Sequence, residues 1–237
     1  MASRNASFHE QGIFGALLAP VKWIFGVSLL LLVLILAAWI VDWVFVFKVW
    51  PDGAASLQRI LHEDLGRAAR LRDSYSELPR VAAWTANFLY ALLFEATGIH
   101  GMGASFAQPS SLSIPDTIVR NAYIANFEVI RVAMVGTQLF GVRLATLMMA
   151  TPLFALFYCA GLADGLTARA VRRASGGRES ASLYHRAKHL QVLLLVMSAA
   201  VGLLLPVSID PRYVWMPGTL AVAILARLQW AYYKKHL

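Results

Sequence analysis

Residues 24–47 read IFGVSLLLLVLILAAWIVDWVFVF, twenty-four positions with Asp42 as the only charge. A run of that length and apolarity crosses a bilayer core of about 30 Å as one α-helix, because a helix satisfies its own backbone hydrogen bonds where no water can. Three further runs share the pattern. Residues 144–163 hold twenty positions and 190–207 hold eighteen, neither with a charge, and 214–233 hold twenty with Arg227 alone. Four such runs predict an all-α, polytopic membrane protein with four transmembrane helices.

Composition agrees, since 59% of the 237 residues are apolar and only 14% charged, unlike an ordinary soluble domain. The first run begins too late and is too long for a cleaved signal peptide, so residues 1–23 are expected to remain as a short N-terminal segment. The single Cys159 lies inside the second run and leaves the redox compartment open.

Cations set the orientation. Arg169, Arg172, Arg173, Arg178, Arg186 and Lys188 crowd residues 164–189, against the acids Asp164 and Glu179. Lys234 and Lys235 close the chain, Arg4 and Lys22 precede the first run, and 208–213 carry one Arg and one Asp. The positive-inside rule then puts both termini and the basic loop 164–189 in the cytoplasm, and 48–143 and 208–213 outside. Counting residues 81–99 as a fifth span would invert that arrangement. Trp84, Asn87, Tyr90 and Glu95 interrupt the apolarity of that stretch and suit a helix lying in the interface or packed on other helices.

Upstream of it, Leu57, Ile60, Leu61, Leu65, Ala68, Leu71, Tyr75 and Leu78 recur at three- and four-residue steps. They predict an amphipathic helix, entered after the Pro51-Asp52-Gly53 turn and ended near Pro79. Residues 98–115 collect Gly, Ser and Pro and read as a loop. Ser113 and Asp116 have capping-box spacing, Pro115 suits a first helical turn, and the pattern runs helically from Thr117 into the second span. The outer segment, 48–143, is expected to form a periplasmic helical cap.

Chemistry is sparse. His185 and His189 stand at helical i, i+4 spacing, but no Glu lies between them as in a zinc protease and no Cys accompanies them, so they read as a solvated basic face. No phosphate loop, nucleophile elbow or activated Cys is present in the pattern; no catalytic residue, cofactor or metal is expected, and the chain reads as no enzyme. Charges within apolar runs are expensive. Asp42 reads as a carboxylate reaching headgroup water or capping Lys48, with Trp39, Trp43 and Trp50 as an interfacial belt. Asp164 and Arg227 sit at similar depth and form a candidate intramembrane structural pair. Arg172, Arg173, Arg178, Arg186 and Lys188 are the candidate contacts for a partner or for anionic lipid, at about 1 kcal/mol per cation near the surface; the competing reading is a topology signal alone.

The order of residues in this region is more telling than its composition. Gly161-Leu-Ala-Asp164-Gly165, then Arg172-Arg173, then Gly176-Gly177-Arg178-Glu179-Ser180, then Tyr184-His185-Arg186-Ala187-Lys188 resembles a membrane protein family, of unassigned function, carried by integrating conjugative elements and related conjugative plasmids. The resemblance extends over most of the chain, elsewhere mainly as hydropathy. It implies an accessory or scaffold protein of bacterial conjugative DNA transfer through type IV secretion, in the inner membrane. The coupling-protein ATPase is the expected partner, beside other conjugation membrane proteins and membrane lipid. Direct nucleic acid binding is not expected, and the oligomeric state is open. The resemblance assigns no catalytic residues. A small transporter or channel, and an entry-exclusion or immunity protein, are the alternatives.

Overall fold

The computed structural model describes residues 2–71, 76–106, 114–176 and 181–233, and the regular elements among them are all helical. Helix α1 (Ala2–Val44) passes into a π turn (Phe45–Val49), and α2 (Ala54–Arg70) follows. Next come α3 (Leu78–Tyr90) with its own π turn (Ala91–Glu95), α4 (Ile99–Phe106) and α5 (Ile114–Ala125). The chain closes with α6 (Phe127–Ala174), α7 (Ala181–Leu204) and α8 (Pro211–Ala231).

Among the described residues three helices are long and apolar enough to cross a membrane: α1 over Pro20–Val49, α6, and α7 over Ser182–Leu204. Helix α8 carries most of the run expected as a fourth span and is not among them, since Tyr213, Pro217, Gly218, Arg227 and Gln229 dilute its apolarity. Residues 20–30 of α1 are exposed on every side, and α7 exposes Leu190, Val192, Leu193 and Val196. Continuous bare apolar surface of this kind marks membrane association.

Helix α6 is the spine. Its 48 residues extend for about 72 Å, more than twice a bilayer core. It therefore absorbs sequence that was expected to lie in loops. Residues 164–174 are helical, the chain turns at Gly176 with φ +72°, and α7 is already under way at Ala181. A left-handed Gly just past the last helical turn is the common way to stop a helix. At the other end α5 does not run straight on, because the backbone breaks at Asn126 before α6 begins.

The amphipathic helix expected between Leu57 and Leu78 is divided. Leu57, Leu61, Ala68 and Leu71 are buried by α2 and its last turn, whereas Leu78 belongs to α3. Pro79 starts α3 and does not end α2; its missing N–H costs nothing in a first turn. The stretch 81–99 lies packed on α6, burying Ala82, Thr85, Ala86 and Leu89 and exposing Trp84 and Phe88, whose rings stack at 5.2 Å. Thr85 Oγ1 donates to the carbonyl of Gly141 at 2.8 Å, which is possible only because Gly141 has no side chain. A methyl group there would lie 2.5 Å from Ala86 Cα. Gly161 and Gly165 do the same for α8, admitting the backbone at Ala223 and at Arg227. Small residues let helices approach closely where lipid supplies no hydrophobic drive between them.

Gly141→Ala and Gly161→Ala should each cost about 1–3 kcal/mol, because the clash is with backbone that cannot move aside. Thermal unfolding in detergent should show a melting temperature lowered by several degrees for both. Gly101→Ala, with nothing within 4 Å, should not lower it. Equal melting temperatures for all three would contradict the close packing.

Candidate interaction face and the buried ionic node

The charged groups collect at the two ends of α6. At the end where α2 and α3 pack, Arg143 of α6 and Asp64 of α2 form a buried ion pair, Nε to Oδ2 3.0 Å, with side chains 8% and 10% exposed. Arg143 also donates to the carbonyls of Leu205 and Val207, just beyond the last turn of α7. Carbonyls at a helix C-terminus lack intrahelical donors and sit at the negative end of the dipole, so a guanidinium satisfies both needs there. Asp64 accepts from Ser208 Oγ at 2.6 Å and pairs with Arg67 at 3.4 Å. One node thus fastens α2, α6 and the α7–α8 connection.

Arg143 is hidden from a hydropathy reading because the uncharged run starts at Leu144 and leaves the arginine as a flank. The signal was present: Arg143 is the only charge between Val132 and Ala163. Asp42 also differs from expectation. It does not reach outward but is 3% exposed, its carboxylate set against the bare Cα of Gly136. The expected aromatic belt has become fastening: Trp39 Nε1 donates to Thr137 Oγ1 at 2.9 Å and Trp43 Nε1 to the carbonyl of Val129 at 3.1 Å, pinning α1 to α6.

At the opposite end of α6 the seam with α8 brings Arg227 Nε to 2.6 Å from Asp164 Oδ2, both side chains 57% exposed. Arg172 turns inward. It donates to the carbonyl of Ala231 at 2.8 Å, capping α8, and its guanidinium lies 3.8 Å over the Tyr232 ring. Arg169 stands 5.2 Å over Tyr233, which also meets the ring of Tyr184. Arg173, Arg186 and Lys188 are exposed, as are His185 and His189. Arg178 and Glu179, like Lys234, Lys235, Tyr75 and Ser113, lie outside the described residues. Of the five candidate contacts, then, Arg172 is engaged within the fold and Arg173, Arg186 and Lys188 are presented outward. Among the described residues no group of three or more His, Cys, Asp or Glu is placed to hold a metal ion.

Breaking the node should be severe. Asp64→Leu leaves Arg143 buried without a counter-ion and should cost about 3–5 kcal/mol. The swapped pair, Asp64→Arg with Arg143→Asp, should not restore stability, because a carboxylate cannot donate to Leu205 and Val207. Unfolding in mixed detergent micelles reads both effects; recovery by the swapped pair would show that the pairing alone mattered.

Compared with known proteins, residues 49–234 match the family model described as IncC plasmid conjugative DNA transfer protein DtrJ-like. No curated protein and no solved structure matches the chain significantly. The matched residues run from the end of the π turn after α1 through α8 and include both ends of α6. Spanning most of the sequence, that match shows that the chain belongs to the DtrJ-like family of conjugative DNA transfer proteins.

Proposed function

We propose that the protein is a non-enzymatic accessory scaffold in the inner membrane of a conjugating bacterium, holding transfer proteins together, with the coupling-protein ATPase as its partner. Membership of the family supports a place in DNA transfer. The observation that carries the scaffold reading is the separation of the charged groups. Asp42 lies at Gly136 while the Asp164–Arg227 pair lies twenty-eight residues further along the same helix, about 42 Å away. A transporter would bring such groups to one polar path; here the Asp164–Arg227 pair lies in the α6–α8 seam and Asp42 is buried against Gly136. At the turn between α6 and α7 the exposed set is Arg173, Arg186 and Lys188, joined by Arg178 in sequence.

In this reading α8 completes a bundle of four spans, since α7 and α8 pack along each other and both adjoin α6. Both termini and the basic end face the cytoplasm by the positive-inside rule. Helices α2 and α3 form the periplasmic cap. Reporter fusions after Gly53 and after Gly176 check the topology: periplasmic activity is expected for the first and cytoplasmic activity for the second, and the reverse pattern would overturn it.

Partner recognition is tested with cation count held constant. Arg173→Lys, Arg178→Lys and Arg186→Lys together preserve the charges that set topology but remove the planar fork that binds carboxylate or phosphate in two places. Recovery of the coupling ATPase from solubilised donor membranes should fall by about ten-fold, and transfer frequency with it, at unchanged protein level. Equal recovery and equal transfer would reduce these residues to a topology signal.

A further inference from the structure

The ionic node does not fill the space around it. Beside it lies a cavity of about 40 Å³, lined by Asp64, Arg67 and Arg143 together with apolar groups of α2, α6, α7 and α8. A second cavity, of about 290 Å³, adjoins it, and Leu71, Thr146, Pro211 and Trp215 line both. Leu78, Met149, Ala150, Leu153 and Met216 complete the second, in which Arg212 is the one charge among the described residues.

The two cavities are ordered along the spine. Arg143 is the last charge before the uncharged run 144–163, and the apolar cavity follows that run from Thr146 to Leu153, about 10 Å. A polar compartment thus sits at the edge of the run and an apolar one extends down it, which is the polarity of an amphiphile standing in a bilayer leaflet.

Charge decides which amphiphile fits. The described lining of the two cavities holds three guanidiniums and one carboxylate. Asp64 accepts from Arg143 at 3.0 Å and from Ser208 Oγ at 2.6 Å, so that Arg67, at 3.4 Å, is its most distant partner. The other contact of Arg67, to the carbonyl of Ser208, is 3.5 Å long, and its Nε has no acceptor among the described residues. Arg212 is exposed, and among the described residues its guanidinium has neither ion pair nor hydrogen bond. Two cations with unused donors, one on α2 and one on α8, therefore line a cleft whose remainder is apolar, and a guanidinium fork binds phosphate oxygens in two places. The apolar part offers nothing to a polypeptide backbone, since the Thr146 hydroxyl already donates to the carbonyl of Arg143 at 2.7 Å. An extended segment seated there would leave its own polar groups unsatisfied, whereas an acyl chain has none.

We infer that this cleft binds one phospholipid of net negative charge, its phosphate held by Arg67 and Arg212 and an acyl chain lying along α6 between Thr146 and Leu153. The site lies at the other end of the uncharged run from Arg172 and Arg173, and it does not rest on the scaffold reading.

The test uses the full-length protein, stripped of lipid by detergent exchange and titrated with phosphatidylglycerol or with zwitterionic phosphatidylethanolamine of the same chains, the bound lipid being counted by native mass spectrometry. One phosphatidylglycerol per chain should bind, with phosphatidylethanolamine about five-fold weaker for want of the net charge. Arg212→Gln, at an exposed residue whose side chain bonds nothing described, should lower phosphatidylglycerol occupancy about five-fold. Met216→Trp, at a residue 58% exposed, should also lower it by filling the apolar cavity from outside. Inorganic phosphate, which has no chain, should not displace the lipid. Equal binding of the two lipids, or an occupancy indifferent to both variants, would mean unselective lipid alone and would overturn the proposal. Displacement by inorganic phosphate would overturn it too, assigning the cations to a soluble anion.

Discussion

The rest of the structure depends on one arginine in a place where a charge is expensive. Arg143 sits at the seventeenth position of a forty-eight-residue helix, 7% exposed, and is held there by a carboxylate and two backbone carbonyls. Its partners come from residues 64, 205 and 207, so a single guanidinium joins segments lying about 80 positions before it and 60 after it. Without those acceptors the burial cost would stand uncompensated. With them, the outer helices become part of the bundle and not an appended domain.

Glycines along α6 do the complementary work. Gly136 makes room for the Asp42 carboxylate, Gly141 for the backbone of α3, and Gly161 and Gly165 for α8. The spine thus receives α1 and α3 near its start and α8 near its end. Polar groups are spent where helices join, and aromatic rings close the basic end over Arg169 and Arg172.

Much of this was legible in the residues. The three- and four-residue recurrence from Leu57 to Leu71 marks the buried face of α2, and Pro51-Asp52-Gly53 marks the turn before it, with Gly53 at φ +56°. Asp164 and Arg227 were close in expected depth and lie 2.6 Å apart. What was not legible depends on partners distant in sequence. Trp39 and Trp43 have the composition of a membrane belt, and only the position of Thr137 and Val129 across from them shows that they are fastened. Pro79 starts or stops a helix with equal ease until the chain on either side is placed. Arg172 reads like its neighbour Arg173, yet the end of α8 lies beneath one and not the other. Hydropathy also ended the second span at Ala163, whereas a helix leaving a membrane continues through charged residues until a Gly stops it, as Gly176 does.

Hydrogen–deuterium exchange on the purified protein tests most directly whether the buried node makes one body of spine and outer helices. Cooperative units exchange together at the free energy of their shared opening. The account predicts that amides of α2, over Ala54–Arg70, are protected to the same degree as those of α6 around Val132–Ala145. Exchange of α2 orders of magnitude faster than that part of α6 would show the outer helices to be a loosely docked appendage, and would contradict the account.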